Sequence, residues 1–179
     1  DMLLAVGLCT QVSRTWVVTP TQELAELAKR HGATVIIQEG PATLNGAFAQ
    51  AIAEVSDSAP YDPVALMPGD LPLLQPGDLA AAILLARTHA MVLAPALDGG
   101  TGLLGLRAGV NFQPAFGADS FRRHSAMALE QGLTVGLVVA SSLSRDVDRP
   151  EDLSSVLEMG ASTVTSAFLR DRLQSQFRS

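Results

Sequence analysis

The chain has 179 residues, 47% of them apolar, and a formal net charge of −6. That composition excludes a disordered chain, and the acidic balance excludes nucleic acid as the partner, because a phosphate backbone calls for a basic stripe. The lone Cys9 rules out an internal disulfide, which fits a reducing cytoplasm, and the most apolar stretch, 79–97, is broken by Arg87, His89 and Pro95 and does not read as a membrane span.

The chain opens on Asp1 and goes straight into "MLLAVGLCTQ", which reads as the back half of a helix. "TWVVTP" (15–20) reads as a strand ended by Pro20, and 21–32 as a helix with Thr21 as its N-cap and Gly32 as its stop. A strand is expected over 33–39, a helix over 43–55, and a strand over 63–69. Next come a helix over 76–89 and a strand over 90–96. The second half predicts a helix over 120–132, a strand over 133–140, a helix over 150–160 and a last helix over 165–177. Strands that are apolar throughout, rather than alternating, should be covered on both faces. With helices between them, the expectation is one α/β domain over 1–179, a three-layer sandwich around a mostly parallel sheet.

In such sheets ligands bind beyond the carboxyl ends of the strands. Two acidic loops are expected there. "ALMPGDLPLL" places Asp70 after a strand, and "SRDVDRPEDL" places Asp146 and Asp148 two residues apart, on one side of an extended segment. Three carboxylates around one point would suit Mg²⁺, a hard ion that prefers oxygen. Plainer roles are open to both loops: a turn bond for Asp70, and for Asp148, with Pro150 and Glu151 behind it, a helix capping box.

"APALDGGTGLLGL" (94–106) sets Asp98, Gly99, Gly100, Thr101 and Gly102 after an apolar run. Exposed backbone amides there could cradle an anion, or the glycines could form a mobile turn. "FGADSFRRH" sets Gly117 ahead of Asp119 and Ser120 at a helix start, a second candidate anion site. His31 and His89 read as helix C-terminal charges or packing groups, and His124 lies in a helix without metal-type partners nearby. No serine elbow, Cys/His pair or complete G-x-G-x-x-G is present, so hydrolase and dinucleotide readings lose ground.

Taken in order, "VVTP", "GATVI", "LNGAFAQA", "MPGDLPLL", "APALDGGTG", "FGADSFRRH" and "RDVDRPEDL" resemble the 2-phospho-L-lactate or phosphoenolpyruvate guanylyltransferases of coenzyme F-420 biosynthesis. The resemblance covers nearly the whole chain. It implies a GT-A-like, Rossmann-related nucleotidyltransferase fold. It also implies transfer of GMP from GTP to phosphoenolpyruvate or 2-phospho-L-lactate with release of pyrophosphate. Asp70, Asp146 and Asp148 would match the family's catalytic, metal-binding acids, with Mg²⁺ as cofactor. Thr101, Gly117 and Ser120, with Gly99 and Gly100, would match the phospho-acid site. Leu44 and Asn45 would lie near the guanine nucleotide.

Three departures stand out: Thr43 precedes Leu44 where the family has glycine, Gly102 stands where it usually has asparagine, and the family's first strand with its basic, triphosphate-gripping loop has no counterpart, so the domain reads as N-terminally incomplete. A related molybdopterin-type or sugar-phosphate nucleotidyltransferase, or a protein that binds the phospho-acid without turnover, is the alternative. The apolar Phe168, Leu169 and Leu173 near the C-terminus could pack on this subunit or on a second copy in a homodimer.

Overall fold

The computed structural model of the protein describes residues 1–40, 42–160 and 162–176. In chain order the elements are α1 (Met2–Leu8), β1 (Trp16–Thr19), α2 (Gln22–Arg30), β2 (Thr34–Ile37), α3 (Leu44–Ser58), β3 (Val64–Leu66) and α4 (Pro76–Leu85). They continue with β4 (Met91–Pro95), β5 (Thr101–Leu106), α5 (Ser120–Glu130), β6 (Val135–Leu137), α6 (Ser141–Ser144), α7 (Asp152–Met159) and α8 (Val164–Gln176). Each expected helix and strand is present with shortened or shifted ends. Residue 177, expected to end the last helix, lies outside the described residues.

The central sheet has the order β3-β5-β4-β6, and β1 pairs with β2 in a separate two-stranded parallel sheet. β4 and β6 run parallel, while β5 is antiparallel to both of its neighbours. β5 is the strand that the sequence reading passed over. Its opening glycines read as a loop, yet all six of its residues are buried. Thr101 and Gly102 therefore stand on a strand, and only Asp98, Gly99 and Gly100 remain in the turn that joins β4 to β5.

Alternation along the strands divides the interior into two layers. Val92, Ala94 and Leu103 face α1, α4 and α6, packing with Val6, Leu79, Ile83 and Leu143. Met91, Leu93, Leu104 and Leu106 face α3 and α5, packing with Phe48, Phe112, Phe116 and Ala128. Met91, Leu93, Leu103 and Leu104 are fully buried, and each such side chain contributes about 2 kcal/mol of transfer free energy. This is the expected three-layer α/β sandwich. Cys9 lies in the first apolar layer as a free, buried thiol.

Two close approaches shape the site. A Cβ on Gly102 would come within 1.7 Å of the Leu143 carbonyl oxygen, so α6 can lie against β5 only because position 102 has no side chain. Leu97 N–H donates to the Ser144 carbonyl (2.9 Å), and Ser142 Oγ donates to Asp78 Oδ2 (2.6 Å). The segment after β6 is thus fastened to the β4–β5 turn on one side and to α4 on the other.

Candidate functional site

The acidic loops meet through their backbones. Val147 N–H donates to the Asp70 carbonyl (3.1 Å), which sets the loop after β3 beside the loop after α6. Val147 lies between two hollows and lines both. One, of about 260 Å³, is bordered by Asp98, Asp146, Asp148 and Asp152 with Arg145 and Arg149. The other, of about 240 Å³, is bordered by Gly69, Asp70 and Pro72.

Asp70 Oδ1 is buried without a hydrogen-bond partner among the described residues. Burial pushes the Asp70 carboxyl above its ordinary range, and the charges of Asp146, Asp148 and Asp98 push it further. Asp146 is raised in the same way, first by burial and then by Asp98, Asp148 and Asp152. The capping role open to Asp148 is not the one observed. Asp152 Oδ2 accepts from the N–H groups of Asp148 (3.1 Å) and Arg149 (2.8 Å), and α7 begins without a side-chain cap.

These are hard oxygen donors short of positive charge, and that chemistry fits a divalent cation such as Mg²⁺. Their convergence is incomplete. Among the described residues, no three His, Cys, Asp or Glu side chains stand close enough to hold one ion together.

Asp98 has a second task. Its Oδ1 accepts from Gly100 N–H (2.7 Å), and Gly99 N–H donates to the Ala96 carbonyl (3.2 Å). The glycine amides expected to cradle an anion are here engaged within the turn itself, an Asx-type arrangement. Gly99, at φ 88°, supplies the left-handed backbone that the turn requires.

Thr101 opens β5 directly behind that turn and is joined to the start of α5. Ser120 Oγ donates to Thr101 Oγ1 (3.1 Å), and Thr101 Oγ1 also lies 3.0 Å from His124 Nδ1. Thr101, Ser120 and His124 are all buried. Gly117, at φ 121°, lets the chain turn into the helix, and Asp119 takes a left-handed φ of 53° in the N-cap position without capping. The helix-start amides are partly occupied by the protein. Ser120 N–H donates to the Gly117 carbonyl (3.0 Å), and Phe121 N–H to the Gly99 carbonyl (3.3 Å). The second of these bonds ties the two candidate anion regions to each other.

The loop 115–117 is held from three sides. His124 Nε2 accepts from Ala115 N–H (2.9 Å), and the Arg123 guanidinium donates twice to the Ala115 carbonyl (3.3 and 3.1 Å). Asn45 Oδ1 accepts from Phe116 N–H (2.7 Å), while its Nδ2 donates to the Phe116 carbonyl (3.1 Å). Asn45, expected near the nucleotide, thus has both side-chain polar atoms on this loop, and Leu44 is exposed at the first turn of α3.

Sequence reasoning missed His124, Asp98 and Asp152. The signal for His124 was its place four residues after Ser120, which puts both on one helical face. For Asp98 it was the Asp-Gly-Gly string, read only for its glycines.

The sequence model of a family described as CofC-like guanylyl transferases matches residues 1–178. A 3-phospho-D-glycerate guanylyltransferase of Phenylobacterium zucineum is 50% identical, over 99% of this chain and 83% of its own length. A phosphoenolpyruvate guanylyltransferase of Roseiflexus castenholzii is 33% identical, over 97% of this chain and 79% of its own. A 2-phospho-L-lactate guanylyltransferase of Methanothermobacter thermautotrophicus is also 33% identical, over 94% and 75%. In fold, the chain is similar to a Desulfovibrio desulfuricans crystal structure assigned to the nucleotide-diphospho-sugar transferases. The TM-score is 0.75 at 22% identity, over 95% of this chain and 78% of that one.

Proposed function

The chain belongs to the CofC-like guanylyl transferase family, and from that premise we propose that it transfers GMP from GTP to a three-carbon phospho-acid in the cytoplasm, as a step of coenzyme F-420 biosynthesis. It is a nucleotidyltransferase. Phosphoenolpyruvate and 2-phospho-L-lactate are the acceptors that the sequence motifs bring forward. The relative at 50% identity adds 3-phosphoglycerate, and we place it first. All three carry a carboxylate and a phosphate on a three-carbon frame.

In the reaction, a phosphate oxygen of the acid forms a bond to the α-phosphorus of GTP. The α–β anhydride bond breaks, and pyrophosphate leaves with its electron pair. The nucleophile is already anionic, so the protein's work is to bring two anions together and offset their charge. At the site, the reading is carried by the carboxyls of Asp70 and Asp146, both raised by burial and by neighbouring acids, on two loops joined at Val147. Asp70, Asp146 and Asp148 are the residues that would hold Mg²⁺. When bound there, the ion supplies Lewis-acid and templating chemistry to the phosphates.

Thr101 and Ser120, with Gly117, are proposed to face the phospho-acid, and Gly99 and Gly100 to shape the turn beside it. Thr101 lies three residues beyond Asp98, which limits their Cα separation to about 10 Å. Asp98 of the acid cluster and Thr101 of the hydroxyl pair are therefore neighbours at the β4–β5 turn. The test is pyrophosphate release with GTP and Mg²⁺ against each of the three acids. Release that depends on one acid and is lost in Asp70→Ala supports the proposal and names the acceptor; release that does not depend on any of them overturns it.

A further inference from the structure

The hydrogen bonds around His124 determine the position of a proton. Ala115 N–H points at Nε2, so Nε2 must offer a lone pair. The ring proton is then on Nδ1, and the bond of 3.0 Å runs from Nδ1–H to Thr101 Oγ1. Ser120 Oγ donates to the same oxygen. A threonine hydroxyl has two lone pairs and one proton. Both lone pairs are filled by these two donors, and the Thr101 proton has no acceptor among the described residues. It is left for something that is not protein.

The surroundings hold the imidazole neutral and fixed. His124 is fully buried, edge-on to Phe116 (5.1 Å between centroids) and Phe112 (5.9 Å). Burial, with the charge of Arg123, lowers its pKa to about 4. The same ring anchors Ala115, two residues before Gly117, so a single side chain spans the strand start, the 115–117 loop and α5.

We propose that His124 is a positioning residue for the phospho-acid: as the Nδ1–H tautomer it saturates the acceptor side of Thr101 and thereby commits the Thr101 hydroxyl proton to a substrate oxygen. The inference rests on the reading above that Thr101 faces the phospho-acid. No proton is transferred; the imidazole sets which way a hydroxyl points.

Two substitutions of similar size separate the two ends of the ring. Asparagine places an amide donor near the Nδ1 position, and glutamine places an acceptor near the Nε2 position. In steady-state pyrophosphate release by the full chain, T101V and H124Q each raise KM for the phospho-acid about tenfold and leave KM for GTP unchanged, the size expected for one directed hydrogen bond. The double variant T101V/H124Q is no worse than T101V, because His124 acts through Thr101. H124N, which keeps the donor, stays within about threefold of the parent on the same scale.

If T101V raises KM and H124Q does not, or if H124N is as impaired as H124Q, the proposal fails while the binding reading stands. If T101V leaves KM unchanged for all three acids, it is the binding reading that fails. Should the His124 variants not fold, long-range ¹H–¹⁵N correlation on the unsubstituted protein at pH 7 decides. A ring protonated at Nδ1 alone supports the assignment, and one protonated at Nε2 or at both nitrogens overturns it.

Discussion

The two polar regions flanking the β4–β5 turn are built on opposite principles. On one side Asp70, Asp146 and Asp152, part-buried, and Asp98 and Asp148, exposed, crowd negative charge together, and Asp70 Oδ1 has no hydrogen-bond partner among the described residues. On the other, Ser120, Thr101, His124 and Ala115 form a chain of hydrogen bonds between uncharged groups, braced by Arg123 on the Ala115 carbonyl and by Asn45 on Phe116, and closed but for one hydroxyl proton. The acid side gathers like charges, and among the described residues no three of its carboxylates converge on one point. The hydroxyl side is already organised, its donors fixed in low dielectric, where a directed dipole acts most strongly. One region concentrates charge, whereas the other fixes orientation.

The largest effect should come from neutralising the acid side. Asp70→Asn is expected to lower guanylyl transfer by at least about 100-fold, the scale of weakening the hold on an ion that would offset the phosphate charge. The same change relieves like-charge repulsion, so the melting temperature measured without divalent metal should hold or rise. A clear fall in melting temperature together with full activity would erase the contrast between the two regions.

The regions should also differ in the sign of their pH dependence. His124 binds its proton in the unfolded chain near pH 6.5 and in the folded one only near pH 4. Its contribution to stability is therefore whole above about pH 6.5 and is lost as pH falls towards 4, by about 3 kcal/mol. The raised carboxyls of Asp70 and Asp146 act in the opposite sense: they favour the folded state in acid and cost stability as pH rises through the carboxylate range. Denaturant titrations of the parent and H124N between pH 4 and 7 isolate the histidine component, and an identical slope for both chains would contradict it.

A smaller loss, about 2 kcal/mol, is expected for Gly102→Ala, whose new methyl would meet the Leu143 carbonyl. Because the displaced segment leads to Asp146, the variant should lose activity on the acid side while the His124 tautomer, read by ¹⁵N shifts, stays as it was. Smallest is Thr43→Ala. It removes the bond from Gly46 N–H to Thr43 Oγ1 (3.1 Å) that caps α3, so about 1 kcal/mol should be lost in a chemical melt. Both KM values should stay unchanged, since the cap belongs to neither region.

The main elements were legible because helix stops, β-branched runs and covered strands leave strong local signals, as with Gly32 after α2 and the apolar "MVLAP" of β4. β5 was not, since Gly100, Gly102 and Gly105 mimic a turn, and only tertiary packing reveals why side chains are missing there. Gly105 faces Val92 and Gly102 faces Leu143. The acids were visible as residues. Their incomplete convergence was not, because it depends on how two loops distant in sequence are joined at Val147. His124 looked inert beside its helix neighbours, for its partners at 101 and 115 come from other parts of the chain. For Asn45, placed near the nucleotide by resemblance, the two hydrogen bonds to Phe116 were likewise not visible in the sequence, since they join positions far apart in the chain.

The contact at Gly102 also bears on how such a protein can change over generations. A side chain at 102 must displace the carbonyl of Leu143, which already fills its place. The 141–148 segment would shift with it, and that segment carries Asp146 and Asp148. Descendants that enlarge residue 102 therefore inherit a rearranged acid loop along with the new side chain. One missing methyl group thus couples the history of a strand position to that of a distant loop.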